Sequence, residues 1–410
     1  MARGTASRED TGSFPDLHGH RVIPLALVPL SAEESAHEAR VADAVRAAIG
    51  AAGGWLSFAQ YMDVVLYAPG LGYYAAGAHK LGAGGDFVTA PELSPVFGRC
   101  VATQCAEVLA SVGGGEIVEI GAGSGALAAD VLATLAELGA LPSRYRILET
   151  SPDLRVRQAA RLAALPGRLG TRVEWLDQPP TTPFAGVVLA NEVLDALPVE
   201  RFRVVADGVE ELGVEVAGAG FALVARRAGS KLLRAVADLG VPLPVGHASE
   251  VCLRLGAWLR SVTAPLARGA ALFLDYGLAR RAYYAPDRDG GTFACFHRHR
   301  RHEDPFVNMG LQDLTAWVDF TRVAEAALAA GLEIGGYTTQ ANFLLGTRFE
   351  QHLAAYRTTL DAHFEPLAAR RAMQLVLPVA MGERFKAIAL VREYEGPLSG
   401  FLLRDFTATL

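Results

Sequence analysis

Residues 116–125 read EIVEIGAGSG, a short apolar run that gives way to glycines at 121, 123 and 125. Such a run favours a buried strand, and residues 124–138 continue with helical periodicity. A tight strand-to-helix turn built on glycine lets backbone amides approach a ligand that side chains would hold off. Two ligand templates fit. Gly121-x-Gly123-x-x-Ala126 matches the dinucleotide fingerprint, whereas Glu119-x-Gly121-x-Gly123-x-Gly125 matches that of S-adenosylmethionine (SAM) methyltransferases. A turn with no ligand is the third reading, because short glycine patterns recur by chance.

The neighbouring strands favour SAM. Glu119 lies at the end of the first strand, where a carboxylate suits the cationic amino end of methionine. YRILE is a second strand, and its terminal Glu149 can accept from both hydroxyls of a ribose, as an acid does for NAD. RVEWL is a third, followed by Asp177, placed to meet an adenine amino group. GVVLAN is a fourth, and NEVLDALP then brings Asn191, Glu192 and Asp195 to the same edge. Any one of these acids alone reads as a solvated strand end. Four strands presenting polar groups to one crevice point to a ligand, since open α/β sheets bind at the carboxyl ends of their strands.

Around this centre the chain alternates strand and helix, which implies right-handed crossovers and a parallel sheet in an α/β fold. Residues 1–30 read as disordered, and Ser31/Glu34 and Ser57/Gln60 as capping boxes of two helices. Residues 31–115 form a helical and glycine-rich segment, and 116–410 the core. RFRVVADGVEELGVEV reads as a hairpin turning at Asp207-Gly208, an insert near 199–225. SEVCLRLGAWLRSVTAPLA reads as helix leading into the strand AALFLDYG, and residues near 340–380 as a helical insert.

The chain has 410 residues, 51% hydrophobic, with a net charge of −6. That composition is globular, and no overall field recruits nucleic acid. Three lysines stand against 35 arginines, so an arginine-rich spot says little. Cys100, Cys105, Cys252 and Cys295 form no C-x-x-C pair and no disulfide framework; the first two read as packing residues. No apolar stretch approaches the about 18 residues of a membrane span. The polar N-terminal stretch lacks a secretory core, and the expectation is a cytoplasmic protein. His297, His299 and His302 lack a convincing fourth metal ligand and read as a solvated basic loop or a contact to an acidic partner.

Together GLGYY, GGDFVTAPELSPVFG, VEIGAGSG, NEVLDALPV, LDYG and DLTAWVDF closely resemble the MidA family, from about residue 31 almost to the C-terminus. These are class I SAM-dependent methyltransferases, relatives of the mitochondrial complex I assembly protein that methylates arginine. The resemblance implies a Rossmann-like, seven-stranded, mostly parallel sheet with an N-terminal helical segment and inserts. It also implies SAM as cofactor, with Glu119, Gly121, Gly123, Gly125, Glu149, Asp177 and Asn191 as its site. Gly85 and Asp86, in GAGGDFVTAPE, are expected to fold over the cofactor, together with Thr89.

A methyl on a sulfonium is already activated, so the enzyme must align a nucleophile and exclude water. If that nucleophile is a protein arginine, a carboxylate must hold its planar cation. Glu192 is the candidate. Asp195, a helix turn on, either assists it or caps the local backbone. Arginine methyltransferases commonly use two glutamates here, and no second Glu lies near; Glu92 or Asp275 is an alternative partner. The expected partner is a protein carrying a target arginine, with no nucleic acid and no membrane span; a homodimer is compatible. Three rivals stay open: a small-molecule methyltransferase, a SAM-binding assembly factor with little turnover, and a NAD(P)-dependent oxidoreductase.

Overall fold

Two capping boxes open the described chain. The computed structural model describes residues 29–76, 89–361 and 363–410. The disorder expected of the N-terminal stretch up to residue 28, and the roles read onto Gly85 and Asp86, therefore lie outside the described residues. Helix α1 spans Ala32–Ala51; Ser31 Oγ accepts from the Glu34 amide at 3.2 Å, and the Glu34 carboxylate accepts from the Ser31 amide at 2.7 Å. Helix α2, Phe58–Tyr67, starts the same way on Ser57 and Gln60, at 3.3 and 3.0 Å. Each box satisfies two otherwise orphaned N–H groups, and such a cap contributes about 1 kcal/mol.

The central sheet contains β1 (Glu116–Ile120), β2 (Arg144–Leu148), β3 (Val173–Leu176), β4 (Phe184–Asn191), β5 (Leu266–Leu278), β6 (Glu333–Thr339) and β7 (Phe385–Arg392). They pair in the order β3-β2-β1-β4-β5-β7-β6. The first five strands run parallel, and β7 is antiparallel to both its neighbours. An eighth short strand, Val318–Asp319, pairs with the end of β5 off this path. The sheet therefore has one more strand than the seven expected.

Helices cover both faces, which is why the inner strands β1, β4 and β5 read as apolar runs. Ile117 of β1 packs with residues of α4 (Pro95–Ser111) and α5 (Ala126–Glu137), preceded by the short α3 (Ala90–Leu93). Cys100 and Cys105 are buried in this layer. Val118 and Ile120 point the other way, toward α7 (Leu255–Thr263) and α8 (Phe320–Ala329); α6 (Pro152–Ala163) links β2 to β3.

The chain leaves β1 for β2 on one side and later returns through β4 on the other. Ile120 stands opposite both Leu148 and Ala190. The next residues of the three strands, Gly121, Glu149 and Asn191, consequently emerge side by side at the point where strand order reverses. Ligands of open α/β sheets bind there.

The hairpin over residues 200–217 is part of a larger element. Its strands Glu200–Val205 and Gly208–Ala217 pair with Val205 opposite Gly208, and Gly220–Arg227, Leu56–Ser57 and Ala248–Val251 complete a five-stranded sheet. Here the helix expected from residue 249 is corrected: Ser249 and Glu250 pair with Phe202 and Arg201, and helix begins only at Leu255. Pairing to an open hairpin edge outweighed local helical periodicity. Between β6 and β7 the described residues form three α-helices, Gln340–Gly346, Phe349–Thr358 and Glu365–Gln374, and a short π-helix, Pro378–Gly382. Among the described residues no helix is long and apolar enough to cross a membrane.

Candidate functional site

A cavity of about 760 Å³ opens at the shared edge of β1, β2 and β4, lined there by Glu119, Gly121, Gly123, Glu149, Asn191 and Glu192. The turn that follows β1 has positive φ at Gly121, Gly123 and Gly125 (64°, 54° and 81°), a region that costs L-residues energy. Gly125 is the N-cap of α5, and a Cβ on it would lie 3.2 Å from Gln158 Cα. It shapes the turn and does not itself line the cavity.

Gln158 was not singled out in the sequence, yet it joins the two cofactor-type loops. It is fully buried. Its Nε2 donates to Gly123 O at 2.9 Å and to the Glu149 carboxylate at 3.1 Å, while its Oε1 accepts from Trp175 Nε1 at 2.8 Å. The available signal was periodicity: Leu154, Gln158 and Leu162 repeat at four-residue spacing, so Gln158 stands on the inward stripe of α6.

The carboxylates differ in what they already hold. Glu119 is 2% exposed and accepts from the Tyr145 hydroxyl at 2.6 Å. Burial pushes its carboxyl up to about 7, the Tyr145 bond opposing and the Glu149 charge reinforcing the rise. Glu149 accepts from the Ser151 amide at 2.9 Å as well as from Gln158, and burial raises it too. Asn191 Nδ2 donates to Glu192 at 3.1 Å. Its Oδ1 is buried with no hydrogen-bond partner among the described residues.

Glu192 sits directly after β4 in the left-handed region, φ 53°. Its Oε1 accepts from the Ala90 amide at 3.2 Å. Burial, with the nearby Asp195 charge, raises its carboxyl to about 8. The turn beyond it is fixed by Asp275, whose Oδ2 accepts from the amides of Val193, Leu194 and Asp195 at 3.1, 2.8 and 3.3 Å. Helix α3 closes the opposite side. Glu92 accepts from the Ser124 hydroxyl and, at 3.2 Å, from Arg161.

Two singled-out acids do not reach the cavity. Asp195 is buried and accepts from the Tyr276 hydroxyl, and burial raises its pKa. Asp177 has an 85% exposed side chain and pairs with Arg155 at 2.7 Å. Neither lines the cavity. Nor do Glu92 and Asp275, which are engaged in the bonds described above. The histidine stretch forms part of a three-stranded sheet with Asp313–Thr315; there His297 Nδ1 bonds Leu311 O at 2.8 Å and Arg298 pairs with Glu34 at 2.5 Å.

The same cavity is lined also by Asp63, Tyr67, Tyr74, Arg254 and Trp258. The rings of Tyr67 and Tyr74 stack with centroids 5.5 Å apart. Their hydroxyls are tied down, to Ala196 O at 2.7 Å and to Asp313 at 2.8 Å. At the rim Arg254 grips Asp63 through two hydrogen bonds, one of them 2.6 Å long.

The sequence model of an S-adenosyl-L-methionine-dependent methyltransferase family matches residues 100–338. The chain belongs to the MidA family of SAM-dependent methyltransferases. It is 31% identical to the mitochondrial protein arginine methyltransferase NDUFAF7 homolog of Drosophila melanogaster, over 82% of each chain. With the Homo sapiens mitochondrial protein arginine methyltransferase NDUFAF7 it shares 28%, covering 82% of this chain and 80% of the other. A crystal structure from Burkholderia thailandensis, bound to S-adenosyl-homocysteine, is 42% identical and superposes with a TM-score of 0.89, covering 94% of this chain and all of that one.

SAM is accordingly the cofactor of this family member. The cavity suits a cationic, hydroxyl-bearing ligand: two buried carboxyls, an orphaned amide oxygen and an open glycine turn share its wall. One expectation is overturned. The protein was expected to be cytoplasmic, but the curated relatives carry mitochondrial names. The polar composition of the N-terminal stretch, on which that expectation rested, does not separate cytosol from mitochondrion.

Proposed function

We propose that this methyltransferase acts on arginine in a protein, with Glu192 as the residue that orients the acceptor. The carrying observation is that Glu192 lines the same cavity as Glu119, Glu149 and the glycine turn, with its carboxylate anchored by the Ala90 amide. The names of the relatives, protein arginine methyltransferases, support the same acceptor. In this reading the strand order, with antiparallel β7 inserted between β5 and β6, is that of a class I methyltransferase sheet. Residues 31–115 form the covering segment and 116–410 the core.

Bound SAM supplies a methyl group already activated on a sulfonium. The chain's own residues bind and orient. Glu119 and Asn191 Oδ1 meet the cationic end of the cofactor, Glu149 its ribose hydroxyls, and the backbone at Gly121 and Gly123 permits close approach. Gln158 holds the turn and Glu149 in mutual register. Glu192 draws in the guanidinium, gives up its own proton to bulk solvent as the cation arrives, and fixes one nitrogen facing the methyl. As that nitrogen bonds the methyl carbon, the carbon–sulfur bond would break with its electron pair kept by sulfur, leaving S-adenosyl-homocysteine, and the nitrogen's proton would pass to solvent. Asp275 fixes the backbone that carries Glu192, and Asp195 acts through Tyr276, not on the acceptor. Asp177 reaches the cofactor only by releasing Arg155.

Transfer of tritiated methyl into protein of a cell lysate, followed by mass spectrometry, tests this. Label on arginine is expected; label confined to small molecules or to other residues overturns the acceptor assignment.

A further inference from the structure

The cavity wall carries aromatic rings as well as the polar strand ends: Tyr67 closes α2, Tyr74 stacks on it, and Trp258 comes from α7. Both tyrosine hydroxyls are engaged by protein oxygens, so the rings, not the hydroxyls, are what a ligand meets. Burial also holds both phenols well above their usual pKa, which keeps the rings neutral.

We infer that Tyr67, stacked on Tyr74, and Trp258 form the wall that selects an arginine side chain and directs it to Glu192, which lines the same cavity. This rests on the arginine reading given above. Three features of that side chain match this wall: an apolar stem packs along aromatic rings, a planar delocalised cation stacks on them, and its end meets a carboxylate. A lysine ammonium is compact and strongly hydrated and gains less from a stacked ring. At the rim, the Asp63–Arg254 fork leaves neither charge free to trap the incoming cation before it reaches Glu192. Tyr67, at 38% exposure, is the more exposed ring of the stacked pair. Such a wall suits an arginine carried on an extended segment.

Two blocked peptides, Ser-Gly-Ala-Arg-Ala-Gly-Ser and the same with lysine, serve as probes. Methyl transfer is measured with wild type, Tyr67→Leu, Tyr67→Phe and Trp258→Leu, alongside SAM titration and a thermal melt of each. The arginine peptide should be preferred by wild type. Tyr67→Leu and Trp258→Leu should raise KM for it about tenfold or more, with kcat changed less and SAM affinity within about twofold, as loss of binding shared by ground and transition states predicts. Tyr67→Phe keeps the ring and should restore most of the lost affinity. Transfer by wild type with unchanged KM in folded Tyr67→Leu and Trp258→Leu overturns the selecting wall and leaves the arginine reading intact. Equal loss in Tyr67→Phe and Tyr67→Leu shows that the Ala196 bond matters and the ring does not, and also overturns it. Absence of transfer to the arginine peptide by wild type overturns both readings together.

Discussion

Glu192 begins as a protonated acid. Its carboxyl titrates near 8 in the ligand-free chain because burial and Asp195 both disfavour its charge. Only the charged form attracts a guanidinium, so kcat/KM for an arginine acceptor should climb as pH rises through about 8, while arginine itself stays protonated. A pH–rate profile checks this: the rise should vanish in Glu192→Gln, and a wild-type profile flat from pH 6.5 to 9 contradicts the assignment. The same burial works against folding as pH rises. The folded chain keeps this proton above the pH near 4.5 at which an unfolded glutamate releases it, so the contribution is complete below that value and is lost progressively up to about 8. Glu149 yields a separate prediction. Glu149→Gln should weaken SAM and S-adenosyl-homocysteine alike, by about 1.5–3 kcal/mol for each charge-assisted bond lost, because both share the ribose. Titrations that show loss for only one of them would place this acid elsewhere on the cofactor.

At the scale of elements, the strand-to-helix turns do most to make the site. Gly123 has φ 54° and its carbonyl is held by Gln158. Gly123→Val places a β-branched residue in the left-handed region, costing about 1–2 kcal/mol of backbone strain, and blocks close approach. Calorimetric SAM affinity should fall by at least about tenfold for each 1.4 kcal/mol lost, while far-UV circular dichroism keeps its shape. An unchanged titration would move the cofactor off this turn. Much of this scale was legible in the sequence. The apolar runs of β1, β2, β4 and β5 and the serine caps of α1 and α2 are local signals, and strand ends can be counted along the chain. The strand at Ala248–Val251 was not legible, because its partner is a hairpin edge some fifty residues away. Side-chain direction was the other loss: Asp177 and Asp195 sit where the count puts them, but Arg155 and Tyr276 turn their carboxylates away from the cavity. Tyr67, Trp258 and Gln158 come from helices whose sequence shows only packing.

For the whole molecule, the order of strands brings the separate signals to one place. Reversal of strand order at β1 opens the crevice, and the alignment of Ile120 with Leu148 and Ala190 sets three loop starts side by side. Helices α2 and α7 add Tyr67 and Trp258 to the same cavity wall; in the proposed reading the cofactor and the acceptor divide this cavity between them and meet at Glu192. The most direct test of that division is a paired measurement on Glu192→Gln: SAM affinity by calorimetry, and methyl transfer to protein arginine. Affinity should stay within about threefold of wild type, while transfer falls by two orders of magnitude or so, as for other lost positioning groups. Near-normal transfer by this variant, or a collapse of SAM binding, contradicts the account.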